Sequence, residues 1–162
     1  MTIAFVRAYP LAQARDVIEH ENIQLAGELL EYPGRVFWIG FEPIGPSPAR
    51  GLAHSLVLLC DDTDPKDYGP EDTVSTDPNQ PTIEHARAIV SALRTLHEDP
   101  EEWAVAAHCT AGVRRSGTVA EHVWRRYRPQ GLRPARYSDL HRRCLTNRRI
   151  YELLQQAEGA SE

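Results

Sequence analysis

His108-Cys109-Thr110-Ala111-Gly112-Val113-Arg114-Arg115-Ser116 is the stretch on which the reading of the whole chain turns. An apolar run, Trp103 to Ala107, leads into it, and an amphipathic run, Val119 to Tyr127, leads out. That pattern predicts a strand, a tight loop and a helix. Such a loop aims backbone N–H groups and a helix N-terminus at one point, which makes an anion site. The same dipoles favour a thiolate at Cys109, where the loop begins. Arg115, six residues later, closes the loop with a planar fork of donors that matches two phosphate oxygens. Gly112 supplies the backbone freedom of the turn.

These residues resemble the signature of the cysteine-based protein tyrosine phosphatase superfamily, in its compact dual-specificity-like branch. The signature is His-Cys, two residues, Gly, two residues, Arg, then Ser or Thr. Its fixed positions are filled here by His108, Cys109, Gly112, Arg115 and Ser116. The resemblance implies a phosphatase that works through a phosphocysteine intermediate, with Cys109 as nucleophile. It implies that Arg115 and the backbone of Thr110, Ala111, Gly112, Val113 and Arg114 hold the phosphate. It assigns Ser116 to release of the thiolate in the second step and His108 to support of the loop. It also implies a small central sheet flanked by helices. The order of motifs fits that branch from about Ser55 to Tyr127, and the N-terminal third fits loosely.

A general acid is needed beside the loop to protonate the leaving oxygen. In the compact branch it is an Asp just past the strand that precedes the helix leading to the Cys loop. Asp62, after the apolar run Ser55 to Cys60, fits that place best. Asp61 and Asp64 are rivals, because one register shift exchanges them, and Asp77 is a fourth candidate. The polar segment from Asp61 to Pro81 is longer than the compact pattern has, and long loops in small domains tend to be functional or disordered.

The rest of the chain reads as α/β. Ile3 to Val6, Val36 to Ile39, Ser55 to Cys60 and Trp103 to Ala107 are strand candidates. Helical spacing runs through Leu11 to Ile18, Ile83 to Leu96, Val119 to Tyr127 and Tyr137 to Leu154, with a further helical piece at Glu21 to Leu30. Tyr32-Pro33-Gly34 and the Pro- and Gly-rich segment from Gly40 to Gly51 read as turn and loop. Strands alternating with helices predict a mostly parallel sheet of about four strands, with ligands at the carboxyl ends. The length of 162 residues suits one phosphatase domain spanning 1–162.

Charge is uneven. The net charge is −5, yet Arg114 to Arg149 holds eleven arginines against two acidic residues, Glu121 and Asp139. That bias favours an anionic partner: a phosphorylated protein first, with RNA 5′ ends or phosphoinositides as the alternative. A catalytically silent phospho-binding module is a further alternative, against which the intact Cys109, Arg115 and Ser116 argue. Arg114 either favours highly anionic substrates or turns to solvent. Three cysteines are too few and odd in number for a disulfide framework. Cys144 reads as core. Cys60 reads as core too, or as a thiol that joins Cys109 on oxidation. The seven histidines lack zinc-site spacing, so no metal and no cofactor is expected. With no leader or long apolar run in view, a cytoplasmic protein is expected.

Overall fold

The computed structural model describes residues 3–19, 35–42, 46–62, 78–110, 114–129 and 147–159. The helical piece expected at 21–30, the turn at 32–34, Asp64, Asp77, Ala111, Gly112, Val113, Cys144 and the first part of the 137–154 helix lie outside those residues.

Among the described residues, four strands form one parallel sheet in the order β1-β4-β2-β3. They are β1 (Ile3–Pro10), β2 (Arg35–Glu42), β3 (Ser55–Leu59) and β4 (Trp103–Cys109). β4 runs between β1 and β2 and is buried along its full length. A central parallel strand is covered on both faces, which is why its sequence is a continuous apolar run and not an alternating one. Alanines at 104, 106 and 107 keep the strand slim enough for elements to pack closely on either side.

The two faces are distinct. Val105, Ala107 and Cys109 join a large core with Ile39, Phe41, Ile89, Leu93, Val119, Val123 and Leu154. Ala104 and Ala106 join a smaller core with Phe5, Tyr9, Ala14, Val17 and Trp38. This is the two-residue alternation of a strand, and it sends neighbouring side chains of β4 to opposite sides.

Among the described residues, four helices flank the sheet: α1 (Leu11–Glu19), α2 (Ile83–Glu98), α3 (Arg115–Tyr127) and α4 (Arg148–Gly159). On α2, Ala86, Ile89, Val90, Leu93 and Leu96 are buried, as the spacing predicts. Thr82 caps this helix: its side chain accepts from the His85 amide, and His85 Nδ1 accepts from the Thr82 amide. α2 and α4 are joined by Arg94, which donates to the carboxylate of Glu158 at 2.9 Å. Among the described residues no helix is long and apolar enough to cross a membrane.

Several boundaries differ from expectation. β1 runs on to Pro10 and β2 to Glu42, so residues 40–42 are strand and not loop. α3 starts at Arg115, four residues before Val119, because the polar first turn carries no apolar period to announce it. Of the one or two helices expected within 137–154, the described residues show one, which starts at Arg148 after Asn147.

Since all strands are parallel, Pro10, Glu42, Leu59 and Cys109 end on one edge of the sheet. Pro10 is the register partner of Cys109. That edge is where an open α/β sheet offers room for a ligand.

Candidate active site

Cys109 is the last residue of β4 and is 2% exposed. Its Sγ lies 3.1 Å from Ser116 Oγ, in the first turn of α3. A hydroxyl at that distance can donate to a thiolate, and Ser116 is fully buried.

Arg115 is 4% exposed. Its Nη1 donates to the Cys60 carbonyl at 2.8 Å and its Nη2 to Thr110 Oγ1 at 3.3 Å. The buried Nε has no hydrogen-bond partner among the described residues. No carboxylate there pairs with this guanidinium either. A buried cation without a counter-ion is costly, and an anionic ligand removes that cost. The residue before it, Arg114, occupies the N-cap of α3 and gives no side-chain acceptor to the first amides. Arginine is a poor cap, so those N–H groups are left for something else to satisfy.

Asp62 is half-buried, two residues past Cys60. Its Oδ2 faces Arg114 Nε at 3.6 Å. Its Oδ1 accepts from Asn147 Nδ2 at 2.8 Å. Arg114 thus turns towards Asp62 and not into open solvent. Asp61 is also half-buried, and its amide donates to Asn79 O at 2.8 Å. Cys60 is 1% exposed and lies within the large core.

His108 points to the opposite face of β4 from Cys109 and is fully buried. Its Nε2 lies 2.6 Å from Ser47 Oγ. Burial pushes the imidazole down to about 4, with Glu42 opposing the shift and Arg115 adding to it. The ring is therefore neutral at pH 7.

Three contributors were missed in the sequence. Asn147 fastens Asp62 and caps α4 by accepting from the Ile150 amide at 3.0 Å. Thr118 accepts from the Asn147 amide at 2.9 Å and donates to the Arg114 carbonyl at 2.5 Å. Ser47 holds His108. An Asn just ahead of Ile150, Leu153 and Leu154 is a helix-start signal, so the capping role of Asn147 was legible. Its contact with Asp62 was not.

β4 leads into α3 at the carboxyl edge of a four-stranded parallel sheet, and the fold is that of the dual-specificity phosphatases. Human DUSP28 is similar over 96% of this chain and 92% of its own, at 18% identity and a TM-score of 0.52. A mouse putative dual specificity phosphatase, crystallised with zinc tungstate, matches 83% of this chain and 76% of its own, at 19% identity and a TM-score of 0.44. No protein-family model matches the chain, and no curated protein matches it.

Proposed function

We propose that the protein is a cysteine-dependent phosphatase that hydrolyses phosphate monoesters: phosphotyrosine in proteins, and phosphoserine and phosphothreonine as well. The observation that carries this reading is the buried Arg115 guanidinium, unpaired with any carboxylate among the described residues, beside the Cys109–Ser116 pair.

The reaction has two steps. In the first, the Cys109 thiolate attacks phosphorus; the S–P bond forms as the P–O bond to the leaving group breaks, and Asp62 gives its proton to the departing oxygen. Arg115 and the loop amides of Thr110 to Arg115 stabilise the equatorial oxygens, on which charge is concentrated. In the second, water attacks the phosphocysteine and passes a proton to Asp62. The S–P bond breaks, and the Ser116 hydroxyl steadies the thiolate that leaves. His108 supports the strand end from the other face. This chemistry asks for no metal ion, and a reducing compartment such as the cytoplasm suits the thiol.

The test compares wild type with Cys109→Ser on an aryl phosphate, phosphopeptides, inositol phosphates and 5′-phosphorylated RNA. Turnover is expected to vanish in the variant while vanadate still binds, since the anion cradle does not depend on sulfur alone. Activity retained above about a hundredth of wild type exceeds what loss of covalent catalysis allows, and would refute the mechanism. Turnover of RNA or inositol phosphates without turnover of phosphopeptides would reassign the substrate.

A further inference from the structure

We propose that Ser47 is a positioning residue of the Cys109 site: its hydroxyl donates to His108 Nε2 and so keeps the ring's proton on Nδ1. The kinetic part of this proposal rests on the phosphatase reading; the structural part does not.

The contact is built into the sheet. Ser47 is 5% exposed, His108 is fully buried, and 61 residues separate them. Gly40 on β2 is the register partner of His108. A Cβ at Gly40 would stand 2.6 Å from both His108 Nε2 and Ser47 Oγ. No side chain fits there, so the glycine opens the space that the pair occupies.

Ser47 is itself clamped. Its amide donates to the buried carboxylate of Glu42, at the end of β2, and Arg50 binds the same carboxylate through Nε and Nη2. The Arg50 amide donates to Ser47 O at 3.0 Å and closes the turn. Composition alone marks this segment only as a Pro- and Gly-rich loop. Its fold fixes one hydroxyl against one imidazole.

Donor and acceptor accounting selects the tautomer. Ser47 Oγ accepts from the Ala49 amide at 3.1 Å. If His108 Nε2 carried the proton and donated to Ser47, the serine hydroxyl hydrogen would need another acceptor, and the described residues supply none. If Ser47 donates to Nε2, its hydroxyl is used as both donor and acceptor. The proton of the neutral ring then sits on Nδ1, which is buried and without a partner among the described residues. The charged groups that act on the ring are Glu42 from β2 and Arg115 from α3, with Arg50 beyond Glu42; Tyr9 of β1 is its register partner, and the Trp38 ring of β2 lies 6.4 Å away, centroid to centroid.

The consequence reaches Cys109 through the main chain. Nδ1 is the ring nitrogen nearer the backbone, and Cys109 follows His108 directly. A lone pair there would repel a thiolate and a bound phosphate; an N–H attracts both. Ser47 decides which of the two the buried ring carries behind the strand end, on the far side of β4 from the Cys109 side chain.

Long-range proton–nitrogen correlation of histidine-labelled wild type at pH 7 tests this without any variant. The expected result is a His108 ring protonated at Nδ1 and bare at Nε2; the reverse tautomer overturns the proposal. Ser47→Ala is expected to lose that single tautomer and to lower kcat about tenfold with KM unchanged, well short of the ~10⁴ seen when a base in direct contact adopts the wrong tautomer. Ser47→Thr, which keeps the hydroxyl, is expected to restore both. Equal kcat and equal tautomers in all three proteins overturn the positioning role. If wild type turns over no phosphate ester, the phosphatase reading falls, while the spectrum of the folded protein still decides the role of Ser47.

Discussion

Asn147 donates its side-chain amide to Asp62 at 2.8 Å, across 85 residues of sequence. The same side chain accepts from the Ile150 amide and starts α4, while its own amide rests on Thr118 of α3. One buried asparagine thus ties the start of the last helix to the loop that follows β3. Asp62 is held from the other side by Arg114.

Asn147→Ala removes both duties at once. Loss of the cap is expected to cost about 1 kcal/mol of stability. Loss of the Asp62 contact is expected to slow turnover of substrates with poor leaving groups by about tenfold to a hundredfold, the scale of a small misplacement of a reacting group. Asn147→Ser separates the two, because a serine can cap α4 but is too short to reach Asp62. Its stability is expected near wild type, with kcat still reduced. A serine variant with normal kcat on a poor leaving group would show that the contact serves only the fold.

Arg115→Lys is expected to lower kcat/KM by at least ~10²-fold, the scale of removing one fixed donor from a charged transition state. The arginine fork has one nitrogen on Cys60 O, a second on Thr110 and a third, Nε, without a partner among the described residues. A lysine ammonium is a point charge and cannot meet the first two contacts while presenting a third. Steady-state kinetics on an aryl phosphate check this. Near-normal kinetics would mean that Arg115 is not the phosphate ligand.

The sheet and its carboxyl edge were legible because they depend on local pattern. Trp103 to Ala107 is an unbroken apolar run, which only a strand covered on both faces requires, and it ends on Cys109. The Cys109–Ser116 approach joins the last residue of one strand to the first turn of the next helix, so sequence spacing carries it. Ser47 and Asn147 carry no such pattern. Each becomes a partner only when a remote segment folds back, over 61 residues for Ser47 and 85 for Asn147. Gly40 is similar: its need for glycine comes from His108 on the neighbouring strand, not from its own turn.

Stability is expected to fall in acid. In the unfolded chain His108 takes up a proton near pH 6.5, and in the folded chain only near pH 4, because burial penalises the charged ring. Between those values the unfolded state binds more protons. The stabilisation is therefore complete above pH 6.5 and is lost as pH falls towards 4. His108 alone is expected to remove about 2 kcal/mol between pH 7 and pH 5. Burial lowers His85 and His122 in the same direction. Urea unfolding at the two pH values measures the loss, and a His108→Gln protein should show a shallower slope. Equal slopes in the two proteins would place the acid sensitivity elsewhere.

Asp62 lies past the end of β3, at the carboxyl edge, and faces Arg114 at the start of α3. If it protonates the leaving oxygen, Asp62→Asn should slow a substrate with a poor leaving group by about 10²–10⁴. An activated aryl phosphate leaves with little help, so its rate should fall far less. The limb of the pH–rate profile that reports loss of the acid's proton should flatten as well. Asp61→Asn, Asp64→Asn and Asp77→Asn make the comparison fair. Asp61 is the sharpest control, because it neighbours Asp62 while its amide is tied to Asn79. The contrast between leaving groups is the decisive measurement, since a general loss of folding lowers both rates together. Should Asp62→Asn treat good and poor leaving groups alike while Asp77→Asn separates them, the acid comes from the long segment before α2, and Asp62 serves only to hold Arg114 and Asn147.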